Sequence, residues 1–383
     1  MQCPRRKVAL LMHTASAWTR QILRGVATFA HEVGGWEFHL EPRGYYEKVP
    51  IPSNWDFDGV ITRLTHSSIE SALLAKGVPV VNVSWLGQHS AQIVKVNSDQ
   101  QACAELAARH LSSRGLTRLA FFGPAVELGY GETTINALNE FAIANNLHLE
   151  AFVPPNGSNA ERIARLRREL ADWLRKQPTP MGIVAWDSFA GYELSVACSL
   201  LDLRIPEDVA VVCIEHDNLT TSLSPQPLSC VDQNPLRVGF ESAKVLAELM
   251  DGKEISNAPR IVPPLGVVAR QSTDIQFVQD ELVAKSIAFI RENLAQPLQV
   301  ADVQRQFSVS RRQLEVRFKS AVGEPPGSFL RRARLEYASR LLSETVLSTT
   351  KIAALCGFSH PEVMIRAFKR EYGRTPGEVR GIE

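Results

Sequence analysis

Residues 300–320 read VADVQRQFSVSRRQLEVRFKS, and this stretch decides the fold of the C-terminal part of the chain. Val300, Val303 and Phe307 recur three and four apart, which sets them on one face of a short helix. Ser308-Val309-Ser310 then makes a tight turn. Ser310 is a good N-cap, since its hydroxyl oxygen accepts from an orphan backbone N–H, and Gln313 completes a capping-box pattern. In the next helix Leu314 and Phe318 are four apart on the buried face, while Arg311, Arg312, Arg317 and Lys319 point outward. An apolar first helix, a short turn and a second helix with a basic start is the helix-turn-helix plan. In that plan the second helix enters the major groove of DNA.

The pattern recurs 49 positions on, from Ser310 to Ser359. Ile352, Ala353 and Leu355 form the packing face, and Cys356-Gly357-Phe358-Ser359 is the turn, with Gly357 supplying a positive φ. Ser359 is expected to cap the following helix, with Glu362 completing a second box and Pro361 in the first turn. Phe368 and Tyr372 are expected in the core, with His360, Arg366, Lys369 and Arg370 outside. A long helix over Phe329–Leu342 links the two units. Charge supports a polyanion partner, double-stranded DNA. Residues 281–383 hold 17 Lys+Arg against 11 Asp+Glu, a net of +6, while the other 280 residues hold 25 against 30, a net of −5. Arg311, Arg312, Gln313, Arg317, His360, Glu362 and Arg366 are the expected base readers, with Gln313 and Glu362 also engaged as caps. Lys319, Lys369 and Arg370, further along their helices, suit phosphate.

Upstream the pattern is different. Short apolar runs (Val8–Met12, Trp36–Leu40, Gly59–Thr62, Pro79–Val83, Leu119–Phe122, Leu149–Val153, Gly182–Trp186, Val209–Ile214) alternate with helical stretches. Those stretches are Arg20–Val33, Asp99–Ser113, Thr134–Asn145, Ala160–Lys176, Ser188–Leu203 and Asn234–Asp251. Strands apolar throughout and separated by helices predict parallel sheets covered on both faces, here two doubly wound lobes. Arg260–Arg270 is strand-like but interrupted by Pro263-Pro264. The expected layout is an α/β effector domain over 1–273, a linker at 274–280 and an all-α reader over 281–383. Within the first domain, one lobe is expected at 6–116 plus 240–270 and the other at 117–239. Six scattered cysteines, Cys3, Cys103, Cys198, Cys213, Cys230 and Cys356, form no C-x-x-C pair and are expected as buried thiols in a reducing cytoplasm. No apolar run approaches the ~18 residues of a membrane span, and Val8–Met12 is too short for a secretory signal.

The α/β half shows no G-x-G-x-x-G after its first strand, no P-loop, no G-x-S-x-G and no H-E-x-x-H. Phe122-Gly123-Pro124 and Gly129-Tyr130-Gly131 do not make a phosphate loop. An enzymatic reading with an α/β catalytic domain therefore ranks below an effector pocket between lobes, without cofactor or metal.

Two resemblances sharpen this. The C-terminal segment resembles the AraC/XylS family through Ile352-Ala353, Cys356-Gly357-Phe358-Ser359, Phe368-Lys369, Tyr372-Gly373, Thr375-Pro376 and Arg380. Its first half fits through Ser310, Leu314, Arg317-Phe318-Lys319, Gly323, Arg334-Leu335 and Leu341-Leu342, with Met364 standing where that family usually has Phe. The resemblance implies two recognition helices in successive major grooves, roughly 34 Å apart. The N-terminal half is similar to the LacI/periplasmic-binding-protein family through Ile205-Pro206-Glu207-Asp208-Val209-Ala210-Val211-Val212, then Leu223-Ser224-Pro225, Leu228-Ser229, Val231 and Gln233-Asn234. Glu215 takes that family's acidic ligand position, Asp187 its Asn-Asp site, and Asn136 falls near a frequent arginine. The sensor-before-reader order, with Ala17-Trp18-Thr19-Arg20-Gln21 and Arg270-Gln271-Ser272-Thr273-Asp274, resembles the xylose-operon regulators. That resemblance implies a cytoplasmic transcription activator, a homodimer, D-xylose as effector and RNA polymerase as a further partner. Asp187, Glu215, Arg20 and Arg63 would supply polar contacts, with Trp18 and Trp186 stacking on the sugar. Another pentose, a hexose or a nucleoside stays open as effector.

Overall fold

The structure is a computed structural model that describes residues 5–44, 51–52, 55–64, 67–84, 93–124, 131–154, 160–256, 258–274, 280–345, 347–372 and 375–377. Cys3, Tyr130, Gly373, Arg380 and most of the expected linker, residues 275–279, lie outside them. The chain divides into two compact units, Met1–Ile275 and Gln276–Glu383.

The first unit contains two six-stranded sheets. In chain order its elements are β1 (Arg6–Leu11), α1 (Ala17–Val33), β2 (Trp36–Leu40), β3 (Gly59–Thr62), α2 (Ser67–Leu74), β4 (Val80–Asn82) and β5 (Val94–Ser98). There follow α3 (Gln100–Ser112), β6 (Arg118–Phe122), α4 (Glu132–Ala144), β7 (His148–Phe152), α5 (Ala160–Leu174), β8 (Met181–Ala185) and α6 (Ser188–Leu200). The unit closes with β9 (Val209–Cys213), α7 (Asn218–Leu223), β10 (Ser229–Asp232), α8 (Pro235–Met250), β11 (Arg260–Val262), β12 (Gly266–Val268) and a 3-10 turn at Gln271–Thr273. The sheet orders are β11-β5-β4-β3-β1-β2 and β12-β10-β9-β8-β6-β7. Strand pairs are parallel except β10 with β12. Central strands such as β3, β8 and β9 are buried along their whole length, the expected signature of a sheet covered on both faces.

The lobe boundaries differ from expectation. Helix α3 packs on β8, β9, β10 and β12, so it belongs to the second lobe, and all of α8 packs on the first. The interrupted segment at 260–270 is shared, with β11 in the first sheet and β12 in the second. The chain therefore crosses between lobes three times, at 98–100, 232–235 and 262–266. Backbone bonds tie the crossings together: Asp99 N–H donates to the Val262 carbonyl at 2.8 Å and Leu265 N–H to that of Asp232 at 2.9 Å. Strands β5 and β10 escaped the sequence reading because both mix polar residues with apolar ones. Lys95, Asn97, Ser98 and Ser229 are nevertheless buried. The short helices α2 and α7 carry too little periodicity to be read.

Among the described residues the second unit is all helical: α9 (Glu281–Glu292), α10 (Val300–Phe307), α11 (Arg311–Val322), α12 (Pro326–Glu344), α13 (Thr349–Leu355) and α14 (Pro361–Tyr372). It has two apolar cores. One gathers Ile287, Val303, Leu314, Phe318, Phe329 and Ala333. The other gathers Leu335, Ala338, Ile352, Cys356, Met364 and Phe368. Helix α12 contributes to both. Met364 is fully buried, and so are the cysteines Cys103, Cys198, Cys213, Cys230 and Cys356. Tyr372 departs from expectation: it is 40% exposed, resting on Phe368 at the rim of the second core with ring centroids 4.6 Å apart. As the last residue of α14, it lies where that helix leaves the core.

Candidate functional site

The carboxyl ends of both sheets face one cleft, the usual ligand position in doubly wound folds. Its walls are Trp18, from the first turn of α1, Arg63, just after β3, Val83 and Ser84, after β4, Trp186, after β8, and Glu215, after β9. Gln100 and Gln233 line it from two of the crossings. Ser16 caps α1 by accepting from Thr19 N–H at 3.1 Å, which fixes the turn bearing Trp18. The Arg63 guanidinium lies 5.2 Å from the Trp18 ring centroid, a cation–π contact that aims it into the cleft. Ser188 Oγ donates to the Glu215 carbonyl at 2.7 Å and accepts from Asp217 N–H at 3.2 Å, holding the loop after β9.

Glu215 keeps some surface open to the cleft but is enclosed by protein around it. That burial, with the Asp187 charge nearby, pushes its carboxyl up to about 8, against the opposing pull of Arg63 and a hydrogen bond from Trp18 N–H. Asp187 is nearly buried and caps α6, accepting from Ala190 N–H at 2.6 Å. It does not line the cavity, and its charge bears on Glu215.

Four of the seven residues expected around the effector thus line one cavity: Trp18, Arg63, Trp186 and Glu215. Trp186 also packs on the core of the second lobe. Arg20 is not among them. It is exposed and donates to the carbonyls of Thr14 and Ala15, at 3.0 and 2.5 Å, bracing the loop before α1. Asn136 also stays out, because Thr134, Ala137 and Leu138 take the buried face of α4 and leave it in solvent. Gln100 sits in a polar stretch with no pattern of its own, and Gln233 entered only as part of the LacI-like stretch, with no ligand role; the crossings bring both here. His216 is a hydrogen-bonded loop residue, with Nε2 2.8 Å from Asn218 Oδ1 and 3.2 Å from Arg270 Nη2. Two indole faces, a guanidinium, a carboxyl and two amides suit a small ring bearing hydroxyls.

In the second unit, Ser308 turns α10 into α11 with a φ of 52°, and Ser310 accepts from Gln313 N–H at 3.3 Å. Arg311, Arg312, Gln313 and Lys319 are exposed along α11. Arg311 also reaches Glu315 one turn on, at 2.9 Å. Arg317 is placed differently from expectation. Its guanidinium grips both oxygens of Asp280 at 2.6 Å, and Asp280 in turn caps α9 by accepting from Val283 N–H at 3.1 Å. This bidentate pair makes Arg317 a brace between α9 and α11. The second unit also shifts. Helix α14 starts at Pro361, with the His360 carbonyl accepting from Val363 N–H at 3.2 Å, so Ser359 stands one place too early to cap it. Proline takes the first helical position because its missing N–H costs nothing there. Ser359, His360, Glu362, Arg366, Lys369 and Arg370 are all exposed.

Three families match along the chain: the XylR N-terminal domain over residues 7–97, the periplasmic binding protein-like domain over 108–273 and a helix-turn-helix domain over 303–381. The xylose operon regulatory protein of Escherichia coli K12 is 30% identical, covering 99% of this chain and 97% of the relative. The chain belongs to the xylose operon regulator family. The corresponding Haemophilus influenzae protein is 26% identical over 98% of both chains. A solved structure of the xylose-binding transcription activator xylR superposes with a TM-score of 0.71 at 28% identity, covering 100% of each chain. Membership makes this chain a DNA-binding transcription regulator with the two-lobed α/β fold and helical reader described above. Among the described residues no helix is long and apolar enough to cross a membrane, and no His, Cys, Asp and Glu cluster could hold a metal.

Proposed function

We propose that this regulator is a cytoplasmic activator of D-xylose catabolic genes, acting as a homodimer whose cleft binds the sugar. The convergence of Trp18, Trp186, Arg63 and Glu215 in one cavity carries this reading. The indoles cover the C–H faces of a pyranose, Arg63 and the amides of Gln100 and Gln233 donate to ring hydroxyls, and Glu215 accepts from them. On DNA, Arg312, Gln313, His360 and Arg366 read base edges, and Lys319, Lys369 and Arg370 neutralise phosphate. Ser310 and Glu362 act at the starts of the recognition helices, and Arg311 is divided between Glu315 and DNA. Sugar held between the lobes favours a closed sensor, and it alters operator binding and recruitment of RNA polymerase only through differential affinity for two states.

A thermal-shift panel tests the effector. D-Xylose should raise the melting temperature of the full chain in proportion to the logarithm of its concentration, whereas D-ribose, D-glucose and adenosine should not. A larger shift with one of those compounds would replace xylose. A pentose epimer is the second reading, because Glu215 is one methylene longer than the aspartate usual in the LacI-like group.

A further inference from the structure

The two helix-turn-helix halves do not share one core; they share α12, and the changeover between their cores falls within it. Ala333 packs in the first core and Leu335 in the second. Arg334 lies between them. Its Nη2 donates to the carbonyls of Gln296, at 2.8 Å, and Leu298, at 3.1 Å, both in the connection between α9 and α10. The turn of the second half closes over the same group. Gly357 has a φ of 68°, and a Cβ added there would stand 2.4 Å from the Leu294 carbonyl oxygen, 2.5 Å from that of Gln296 and 2.9 Å from Arg334 Nη2. An open cavity of about 350 Å³, lined by Leu298, Leu330, Phe358 and Val363 among others, lies beside this contact. The halves therefore meet here through a guanidinium, backbone carbonyls and a bare glycine, and among the described residues their buried apolar clusters stay separate.

We propose that Arg334 and Gly357 form the joint that sets the spacing and angle between α11 and α14, and so decide which separation of two DNA half-sites this regulator accepts. Arg334 is a positioning residue in this role and need not touch DNA. Two recognition helices on one rigid body behave as a bivalent binder, whose gain from the second contact depends on the geometry holding both in register. Loosening the joint spreads that geometry. Affinity for the preferred spacing then falls, while altered spacings are penalised less.

The test uses the full-length protein and duplexes selected by the wild type from a random pool. These are remade with one base pair added or removed between the two contacted grooves. Arg334→Met removes the donors at similar length, Arg334→Lys keeps a single charged head, and Gly357→Ala forces the contact apart. Arg334→Met should bind the selected spacing about tenfold more weakly and lose most of its discrimination against the shifted duplexes, with Arg334→Lys intermediate. Thermal melting and helix content establish that each variant is folded. If Arg334→Met does not fold, Arg334→Lys carries the comparison. Folded variants that keep the wild-type spacing preference, or that weaken on all three duplexes by one common factor, would overturn the proposal.

Discussion

Burial and the Asp187 charge push the Glu215 carboxyl up to about 8, against the ordinary 4.5, which favours its protonated form. Sugar hydroxyls donate best to a carboxylate, so an effector that contacts Glu215 would favour the ionised form and expel that proton. The sign follows directly. Effector affinity should rise with pH up to about 8 and level off above it, and Glu215→Gln should bind more weakly with a flat profile. Calorimetric titration from pH 6 to pH 9 measures this; a flat wild-type curve would remove Glu215 from the contact. The same shift means that the ligand-free folded chain keeps a proton the unfolded chain releases, so its stability declines as pH climbs from 4.5 to about 8. Salt dependence separates two basic residues of the reader. Lys369→Ala should reduce the slope of log affinity against log salt by about 1, as loss of one phosphate contact does. Arg317→Ala should leave that slope unchanged and lower the melting temperature, since its partner is Asp280.

Between helices, glycine decides how closely α1 and α8 approach. A Cβ on Gly239 would stand 2.0 Å from the Ile22 carbonyl oxygen, and one on Gly25 2.0 Å from that of Leu236. Neither obstacle is a side chain that could swing away. Gly239→Ala must push the helices apart in the first-lobe core and should cost about 3 kcal/mol or more. Because α1 carries Trp18, sugar binding should weaken in the same variant even where the protein remains folded. Calorimetric melting with a sugar titration checks both effects. A second staple joins α5 to α6, where Arg167 binds both oxygens of the buried Glu193, at 2.6 and 3.0 Å. Arg167→Met strands that carboxylate. The expected loss is about 2 kcal/mol, below the range for fully buried pairs because the outer part of Arg167 is in water.

For the whole molecule, the sensor and reader are coupled only if the sugar prefers one of two states. Linkage makes the coupling reciprocal: the factor by which D-xylose changes operator affinity must equal the factor by which operator DNA changes xylose affinity. Both can be measured on the full chain at one salt concentration, with an expected factor of about 5–150. Equal operator affinity with and without sugar would leave a sensor and a reader joined without communication.

Local patterns were enough for the reader. Helical spacing around one tight turn specifies a helix-turn-helix within about twenty residues, so α10, α11, α13 and α14 could be placed from the chain alone, with the cap of α14 one residue off. The α/β class was legible for the same reason, since strands such as β8 and β9 are apolar along their whole length. Long-range encounters were not legible. The lobe borders at α3 and α8 depend on which sheet a helix meets after a crossing, and Gln100 and Gln233 reach the cleft only because two crossings bring them together. Arg317 looked like a base reader until folding set Asp280 opposite it, 37 residues away. Arg334 drew notice only as part of a motif until the two cores closed on either side of it. Short-range order follows from side-chain period and capping, whereas the partner of a charge depends on where distant segments arrive.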